Sequence, residues 1–302
     1  MLEKLMRRLF PWMFPDPTPP APPPPPPKPL PEFEPDVVYD ASNALCKYDV
    51  RRPKGMTTAS PLAPIIFMVH GGGWQNPLGD KANPGVIANK AAYWLALGYV
   101  VISTNYPLWA KNKDGSNNGI TPLEEAKFVA KAMAHAQKNV AGGDGARMTT
   151  MGHSAGAHLV ALIACSTDLQ DMYGLKLFRG TVCLDSGALD VAQCKAIAAA
   201  TGSKELIDLY EPFGDDPLKW PPMSPVDCID GMTGPFFMVY STLRGAGDKK
   251  QTENFCARVA QFGGDATPYP VALEHADIDD DLGLENKYTT DVNAFIQKHN
   301  PA

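Results

Sequence analysis

The chain has 302 residues and a formal net charge of −6, with 20% charged residues, which suits one α/β domain that buries a sizeable core. Lys and Arg number 27 against 33 Asp and Glu, and no basic stripe alternates with aromatic residues, so no nucleic-acid partner is expected. No run of 18 apolar residues occurs, so no stable membrane insertion is expected either.

Residues 1–32 are predicted to form a tail, and residues 33–302 the folded domain. Of the 30 prolines, 13 lie between Pro15 and Pro35, and the run Pro22–Pro27 favours a stiff polyproline II spacer. The apolar patch ahead of this run is too short for a secretory signal. The six cysteines show neither a CxxC pair nor zinc-like spacing and give no argument for disulfides, so we expect a reduced, cytoplasmic compartment. Weak membrane-surface association, a proline-reading partner bound through residues 1–32, and export stay open.

Strands and helices are predicted to alternate along the domain. Pro64–Val69 is a continuous apolar run, typical of a strand buried on both faces. The pairs Asn83-Pro84 and Thr121-Pro122 are helix-start signals. The predicted elements in chain order are a strand at 64–69, a helix at 84–98, a strand at 99–104, a helix at 122–140, a strand at 147–152, a helix at 157–164, strands at 181–184 and 236–240, a helix at 251–262, a strand at 267–273 and a helix at 290–298. This order predicts a mostly parallel sheet with helices on both faces, and the long segment at about 186–232 predicts a small cap insertion.

The sequence Gly152-His153-Ser154-Ala155-Gly156 matches the pattern G-x-S-x-G between a predicted strand and a predicted helix. In that context the pattern favours a sharp turn that presents a nucleophilic serine above the sheet. A glycine-rich turn with an N-capping serine is the alternative. Ser154 is therefore the candidate nucleophile.

The glycine run in His70-Gly71-Gly72-Gly73-Trp74 follows the strand at 64–69. Without side chains, this backbone can approach a substrate oxygen closely. We expect the N–H groups of Gly72, Gly73 and Ala155 to form an oxyanion hole. A phosphate-binding loop is not favoured, because the lysine and hydroxyl of the P-loop pattern are absent.

A serine nucleophile needs a neighbouring base, and an acid that orients the base. Of the six histidines, His275 is the best candidate base, because it follows a predicted strand on a loop. For the acid, the chain order Ser…acid…His favours Asp248, the first carboxylate after the strand at 236–240. Glu253 and Asp185 are the other candidates, although a structural role is favoured for Asp185.

Two further groups of residues complete the sequence-based site. The acidic cluster at 277–281 lacks the glycine and glutamate of a calcium loop, so no metal is expected. Large apolar side chains could line a substrate pocket, or could equally pack the cap onto the core. These four candidates for substrate binding are Trp74, Trp109, Trp220 and Met223.

Several motifs together resemble those of the α/β-hydrolase superfamily, in particular the carboxylesterase branch with hormone-sensitive-lipase-like and feruloyl-esterase-like proteins. They are His70–Trp74, Ser103–Tyr106, Gly152–His158 and Glu274–Ile278. The resemblance covers about residues 60–300. It implies hydrolysis of esters through an acyl-enzyme, with no cofactor, but the long stretch before Asp248 departs from the pattern.

Three functions are weighed on this basis. The first is hydrolysis of small or aromatic carboxylic esters by Ser154 and His275. The second is an arylformamidase-like hydrolysis of N-formyl aryl amides, since such enzymes use similar motifs. The third is a non-catalytic binding protein of hydrolase fold, which is disfavoured because both Ser154 and His275 are present.

Overall fold

The structure is a computed structural model that describes residues 26–75, 80–231 and 233–302. The apolar patch at the start of the chain and most of the proline run lie outside these residues. Within the described part, no helix has both the length and the apolar character needed to cross a bilayer.

Eight strands form one sheet in the order β1-β2-β4-β3-β5-β6-β7-β8. The strands from β3 to β8 pair in parallel, whereas β2 is antiparallel to both β1 and β4. The strands are β1 (Phe33–Val38), β2 (Lys47–Arg51), β3 (Ala63–Val69), β4 (Val100–Thr104), β5 (Gly143–His153), β6 (Gly180–Leu184), β7 (Phe236–Ser241) and β8 (Ala266–Val271).

Helices cover both faces of this sheet. In the described residues they are α1 (Pro84–Ala96), α2 (Pro122–Asn139), α3 (Ala155–Cys165), α4 (Thr167–Tyr173), α5 (Val191–Thr201), α6 (Lys204–Leu209), α7 (Ala246–Gln261), α8 (His275–Asp280) and α9 (Lys287–His299). Helices α2, α3 and α7 contribute to the core on one face, and α1 and α9 to the core on the other. Alternate residues of β3 point to opposite cores: Phe67 to the first, Ile66 and Met68 to the second. The predicted fold class, a mostly parallel sheet covered on both faces, is confirmed.

The structure adds elements that the periodicity did not predict. The edge strands β1 and β2 were missed; β1 contains Pro35 and a residue of positive φ, Asp36, and its side chains are half-exposed or exposed. Helix α8 begins at His275, where a loop was predicted. The predicted cap segment, as far as it is described, contains α5, α6 and four short 3-10 helices at Glu211–Phe213, Pro217–Lys219, Pro221–Met223 and Pro225–Cys228.

The described end of the predicted tail contacts the domain. The N–H of Leu30 donates to the carbonyl of Met56 at 2.8 Å. The backbone N–H of Arg52 donates to the carbonyl of Glu32 at 2.8 Å. The guanidinium of Arg52 donates to the carbonyl of Pro31 at 3.1 Å. Because Arg52 is almost fully buried, these carbonyls satisfy donors that water does not readily reach.

Removing residues 1–32 is therefore expected to lower the melting temperature, because the buried donors of Arg52 lose acceptors at a cost of about 1–3 kcal/mol per group. Removing only residues 1–25 keeps all of these contacts and serves as the matched control. Thermal unfolding followed by circular dichroism measures both. Equal melting temperatures for the two truncations would contradict the structural role of residues 26–32.

Candidate active site

Ser154 lies on the turn between β5 and α3 in a strained backbone conformation. Its φ is 54° and its ψ −117°, a combination that residues with side chains rarely adopt. A Cβ on Gly152 would lie 2.3 Å from the carbonyl oxygen of Gly156, and one on Gly156 would lie 2.2 Å from that of Val69. The two glycines of the motif are therefore required for the turn to close, as the G-x-S-x-G pattern predicts.

The pairing of β5 with β6 places a carboxylate beside this turn. His153 pairs with Leu184, the last residue of β6, and the N–H of Ser154 donates to the carbonyl of Leu184 at 2.9 Å. The next residue after β6 is Asp185, which also has a φ of 54°. Ser154 and Asp185 thus leave two adjacent parallel strands at the same edge of the sheet.

His275 hydrogen bonds to Asp185. The distance between Nδ1 of His275 and Oδ2 of Asp185 is 2.6 Å. The other carboxylate oxygen, Oδ1, accepts the N–H of Ser241 at 3.0 Å. Burial opposes the ionisation of Asp185, but the hydrogen bond from His275, the charge of Arg244 and the N–H of Ser241 outweigh it, so the pKa of Asp185 lies below its usual value.

This geometry corrects the choice of Asp248 as the acid. Asp248 lies in the first turn of α7, and its carboxylate is 3.3 Å from the guanidinium of Arg244. Among the described residues, no hydrogen bond joins Asp248 to His275. The carboxylate that meets the imidazole follows β6 rather than β7. The other candidate, Glu253, lies within α7, where its carboxylate is 3.8 Å from Nζ of Lys249.

The hydrogen bond to Asp185 assigns the tautomer of His275. Its Nδ1 carries a proton that the carboxylate accepts, so Nε2 is left with a free lone pair. The imidazole and Ser154 line one cavity of about 890 Å³. Within the described residues the hydroxyl of Ser154 makes no hydrogen bond to Nε2, and in ligand-free sites such catalytic contacts are often long.

His153 supports the backbone of His275. Its Nε2 donates to the carbonyl of His275 at 2.8 Å, and its Nδ1 is 3.7 Å from Asp279. Asp279 in turn pairs with the fully buried Lys90 at 2.8 Å. Burial lowers the pKa of His153 and so favours the neutral ring that this arrangement requires.

The glycine loop lies against the nucleophile turn. A Cβ on Gly71 would lie 3.0 Å from the Cβ of Ser154. The φ angles of Gly72, Gly73 and Trp74 are 122°, 58° and 63°, so three successive residues have left-handed backbone. The predicted donors Gly72 and Gly73 line the same cavity as Ser154, and Ala155 is the first residue of α3, where the backbone N–H has no partner within the helix.

Trp74 anchors the glycine loop to helix α3. Its indole N–H donates to Nδ1 of His158 at 3.1 Å, and Nε2 of His158 donates to the carbonyl of Met223 at 2.8 Å. Burial lowers the pKa of His158 to about 4, so its ring is neutral and can accept at one nitrogen while donating at the other. These contacts hold Trp74 in a backbone conformation that is unusual for a large side chain.

The four predicted substrate-binding side chains lie outside the lining of the cavity. Trp74, Trp109 and Met223 are buried, with 4%, 6% and 3% of their surface exposed, and the indole N–H of Trp220 donates to the carbonyl of Gly214 at 3.2 Å. Trp74, Trp109 and Met223 therefore pack within the protein, which is the alternative that the sequence left open, and Trp220 also lies outside this cavity. The cavity is lined instead by Gly71, Gly72, Gly73, Gln75, Val86, His153, Ser154, Glu205, Leu209, Arg244, His275, Ala276 and Asp279.

Within the residues that the structure describes, no three His, Cys, Asp or Glu side chains come together as a metal site would need. The acidic cluster at 277–281 falls on and just after α8. Its member Asp279 is engaged with Lys90, as described above.

The strand order, the strained serine turn after β5, and the contact between the carboxylate after β6 and the histidine after β8 together match the α/β-hydrolase fold. A model of the family described as BD-FAE matches residues 48–256. Because this match covers more than half of the chain, the protein belongs to the BD-FAE family. The matched range includes Ser154 and Asp185 and ends before His275.

Solved structures and a curated sequence are also similar. Esterase 2 of Thermogutta terrifontis, phosphonylated by sarin, has 18% identity and a TM-score of 0.68, over 90% of this chain and 96% of that one. Inhibited esterase B of Lactobacillus rhamnosis has 18% identity and a TM-score of 0.67, over 90% of each chain. Esterase LipQ of Mycobacterium tuberculosis is 24% identical over 220 residues, which is 68% of this chain and 48% of LipQ. The chain thus spans about half the length of that curated relative.

Replacing Trp74 by phenylalanine should lower the free energy of unfolding by about 1–3 kcal/mol more than the same change at Trp109, because it leaves Nδ1 of buried His158 without a donor. Trp109 is similarly buried, and within the described part of the chain its indole N–H makes no hydrogen bond. Urea unfolding of the two variants measures the difference. Equal destabilisation would mean that the Trp74–His158 hydrogen bond contributes nothing.

Proposed function

We propose that this protein hydrolyses carboxylic esters through an acyl-enzyme formed on Ser154. His275 acts as the general base and Asp185 as the acid that orients it. The backbone N–H groups of Gly72, Gly73 and Ala155 form the oxyanion hole. The observation that carries the proposal is the 2.6 Å contact between His275 and Asp185, at the cavity that Ser154 also lines.

The mechanism follows from the positions of these groups. The hydroxyl of Ser154 attacks the ester carbonyl while Nε2 of His275 takes its proton. Negative charge then develops on the carbonyl oxygen, and preorganised N–H groups stabilise it at no cost of reorganisation. The imidazolium returns its proton to the leaving alcohol. Water, activated by the same base, releases the acid from Ser154.

Asp185 is suited to its part by its burial and its hydrogen bonds. Its side chain is fully buried, and its depressed pKa keeps it ionised when the imidazolium forms. A fixed negative charge beside Nδ1 both holds the ring in the productive tautomer and stabilises its protonated form. The base and its acid therefore reach the transition state with little rearrangement.

The substrate class that we propose is a small ester with a short acyl group. The cavity is open, and its described walls are mostly backbone and polar groups, with Val86 and Leu209 as its larger apolar side chains. Esterase 2 of Thermogutta terrifontis, of the same fold, is also known with butyrate bound. The sequence-based expectation was a small or an aromatic ester, and because the described lining holds no Phe, Tyr or Trp, the small ester is the one that we propose.

Replacement of Ser154 by alanine should lower the rate of p-nitrophenyl acetate hydrolysis by about 10⁴-fold or more, because the catalytic groups act as a unit. The control is Ser186→Ala, which removes a buried hydroxyl that has no hydrogen-bond partner among the residues that the structure describes. A fluorophosphonate probe should label the tryptic peptide 148–176, and tandem mass spectrometry should place the label on Ser154. An alanine variant that kept the parental rate would refute the nucleophile, and faster turnover of an N-formyl aryl amide would favour formamidase activity instead.

The choice of acid is tested by two matched amide substitutions. Asp185→Asn should lower kcat by about 10³–10⁴-fold, because the amide cannot hold the imidazole in the required tautomer. Asp248→Asn should cost far less, because that carboxylate makes no hydrogen bond to the base in the described structure. Steady-state kinetics of both variants decides between them. A loss for Asp248→Asn as large as that for Asp185→Asn would restore Asp248 as the acid.

A further inference from the structure

We propose that Arg244 and Asp248 form a positioning pair, which holds the acid Asp185 in place and tunes the pH range in which His275 is an active base. The inference rests on the proposed esterase mechanism. Nη1 of Arg244 donates to Oδ2 of Asp185 at 3.0 Å, the same oxygen that His275 contacts. It also donates to the backbone carbonyl of Asp185 at 3.3 Å.

Asp248 holds the other end of the guanidinium. Its Oδ1 is 3.3 Å from Nη2 of Arg244, which lies four residues earlier in the chain, before the start of α7. Each terminal nitrogen of the guanidinium thus has its own carboxylate, a use of the planar fork that lysine cannot reproduce. The side chain of Arg244 is only 25% exposed, so its position is defined by the protein rather than by solvent.

The glycine at position 187 leaves the space that the Arg244–Asp248 pair occupies. A Cβ on Gly187 would lie 2.8 Å from Oδ1 of Asp248 and 3.3 Å from Nη2 of Arg244. The carbonyl of Gly187 accepts hydrogen bonds from Gln251 at 3.1 Å and from the hydroxyl of Tyr210 at 3.3 Å. The segment that follows Asp185 is thereby fixed where the ion pair meets it.

The guanidinium is also a charge beside the base. Nη1 of Arg244 is 3.5 Å from Nδ1 of His275. Because Nδ1 carries the proton that Asp185 accepts, the two nitrogens do not hydrogen bond, and the contact places a cation against the imidazole. In general, a neighbouring cation disfavours the charged form of an imidazole and a neighbouring carboxylate favours it.

Other charged or titratable groups also face His275. Asp185 comes from the end of β6, Arg244 from the segment after β7 and Asp248 from α7. The ring of His153, at the end of β5, lies 4.5 Å from that of His275 between centroids. The remaining groups are Asp279 with its partner Lys90 from α1, Glu205 from α6, which lines the same cavity, and the chain neighbours Glu274 and Asp277. Within the described part of the chain, no hydrogen bond or ion pair joins these remaining groups to Arg244, so the pair can be varied separately from them.

The test is the pH dependence of kcat/KM for p-nitrophenyl acetate in the full-length protein, for Arg244→Met, Arg244→Lys and Asp248→Asn. Active enzyme is counted by fluorophosphonate titration, so that misfolded protein does not enter the rate. Removing the cation should move the acidic limb about 0.5–1 unit towards higher pH, and removing the Asp248 carboxylate should move it in the opposite direction. In Arg244→Lys the acidic limb should lie closer to its parental position, because lysine keeps the positive charge. Its kcat should stay reduced, because lysine lacks the planar guanidinium that contacts both carboxylates.

The proposal is supported if the acidic limb of the pH profile shifts in opposite directions in Arg244→Met and Asp248→Asn. A purely structural role would lower stability without moving the two profiles apart. If the acidic limb does not move in either variant, or moves in the same direction in both, the proposal is overturned. If Arg244→Met yields no folded protein, the Asp248→Asn limb decides alone: a shift to lower pH supports the proposal and no shift overturns it. Ser154→Ala assayed in parallel separates the two proposals, because activity that survives it refutes the esterase mechanism itself.

Discussion

The register between β5 and β6 is the constraint on which the candidate site depends. Because His153 pairs with Leu184, the residues that follow, Ser154 and Asp185, leave the sheet side by side, and both have a φ of 54°. The segment after β8 then reaches back across β7 to bring His275 to Asp185. A shift of one residue in that register would reverse the direction of each side chain and separate the carboxylate from the imidazole.

Most of the sheet and of its covering helices could be predicted from sequence, because their signals are local. The buried run in β3 and the helix starts at Asn83 and Thr121 correspond closely to observed bounds and caps. The edge strands β1 and β2 carry weaker patterns. In β1 a proline and a positive φ interrupt the alternation, so only its pairing with β2 reveals it as a strand.

The candidate site was only partly predictable, and the reason differs by residue. Ser154 and His275 could be predicted from local sequence, because Ser154 lies in a strand-turn-helix motif and His275 follows a predicted strand. The choice between Asp185 and Asp248 depends on which strand end lies next to His275, which no local pattern states. One signal did exist: Asp185 follows its buried strand directly, whereas Asp248 lies well beyond its own strand and inside a helix. The burial of the candidate aromatic side chains likewise depends on packing between distant segments.

The hydrogen bonds from Trp74 through His158 to Met223 have a consequence for ligand selectivity. They join the glycine loop, whose N–H groups would bind the developing negative charge, to the segment between β6 and β7. The same segment contributes Leu209 to the lining of the cavity. A Cβ on Gly73 would lie 2.9 Å from a methyl group of Leu209. A bulky ligand that pushed this segment outward would therefore also displace the backbone N–H groups of the glycine loop. Recognition of ligand size and stabilisation of charge are in this way mechanically coupled.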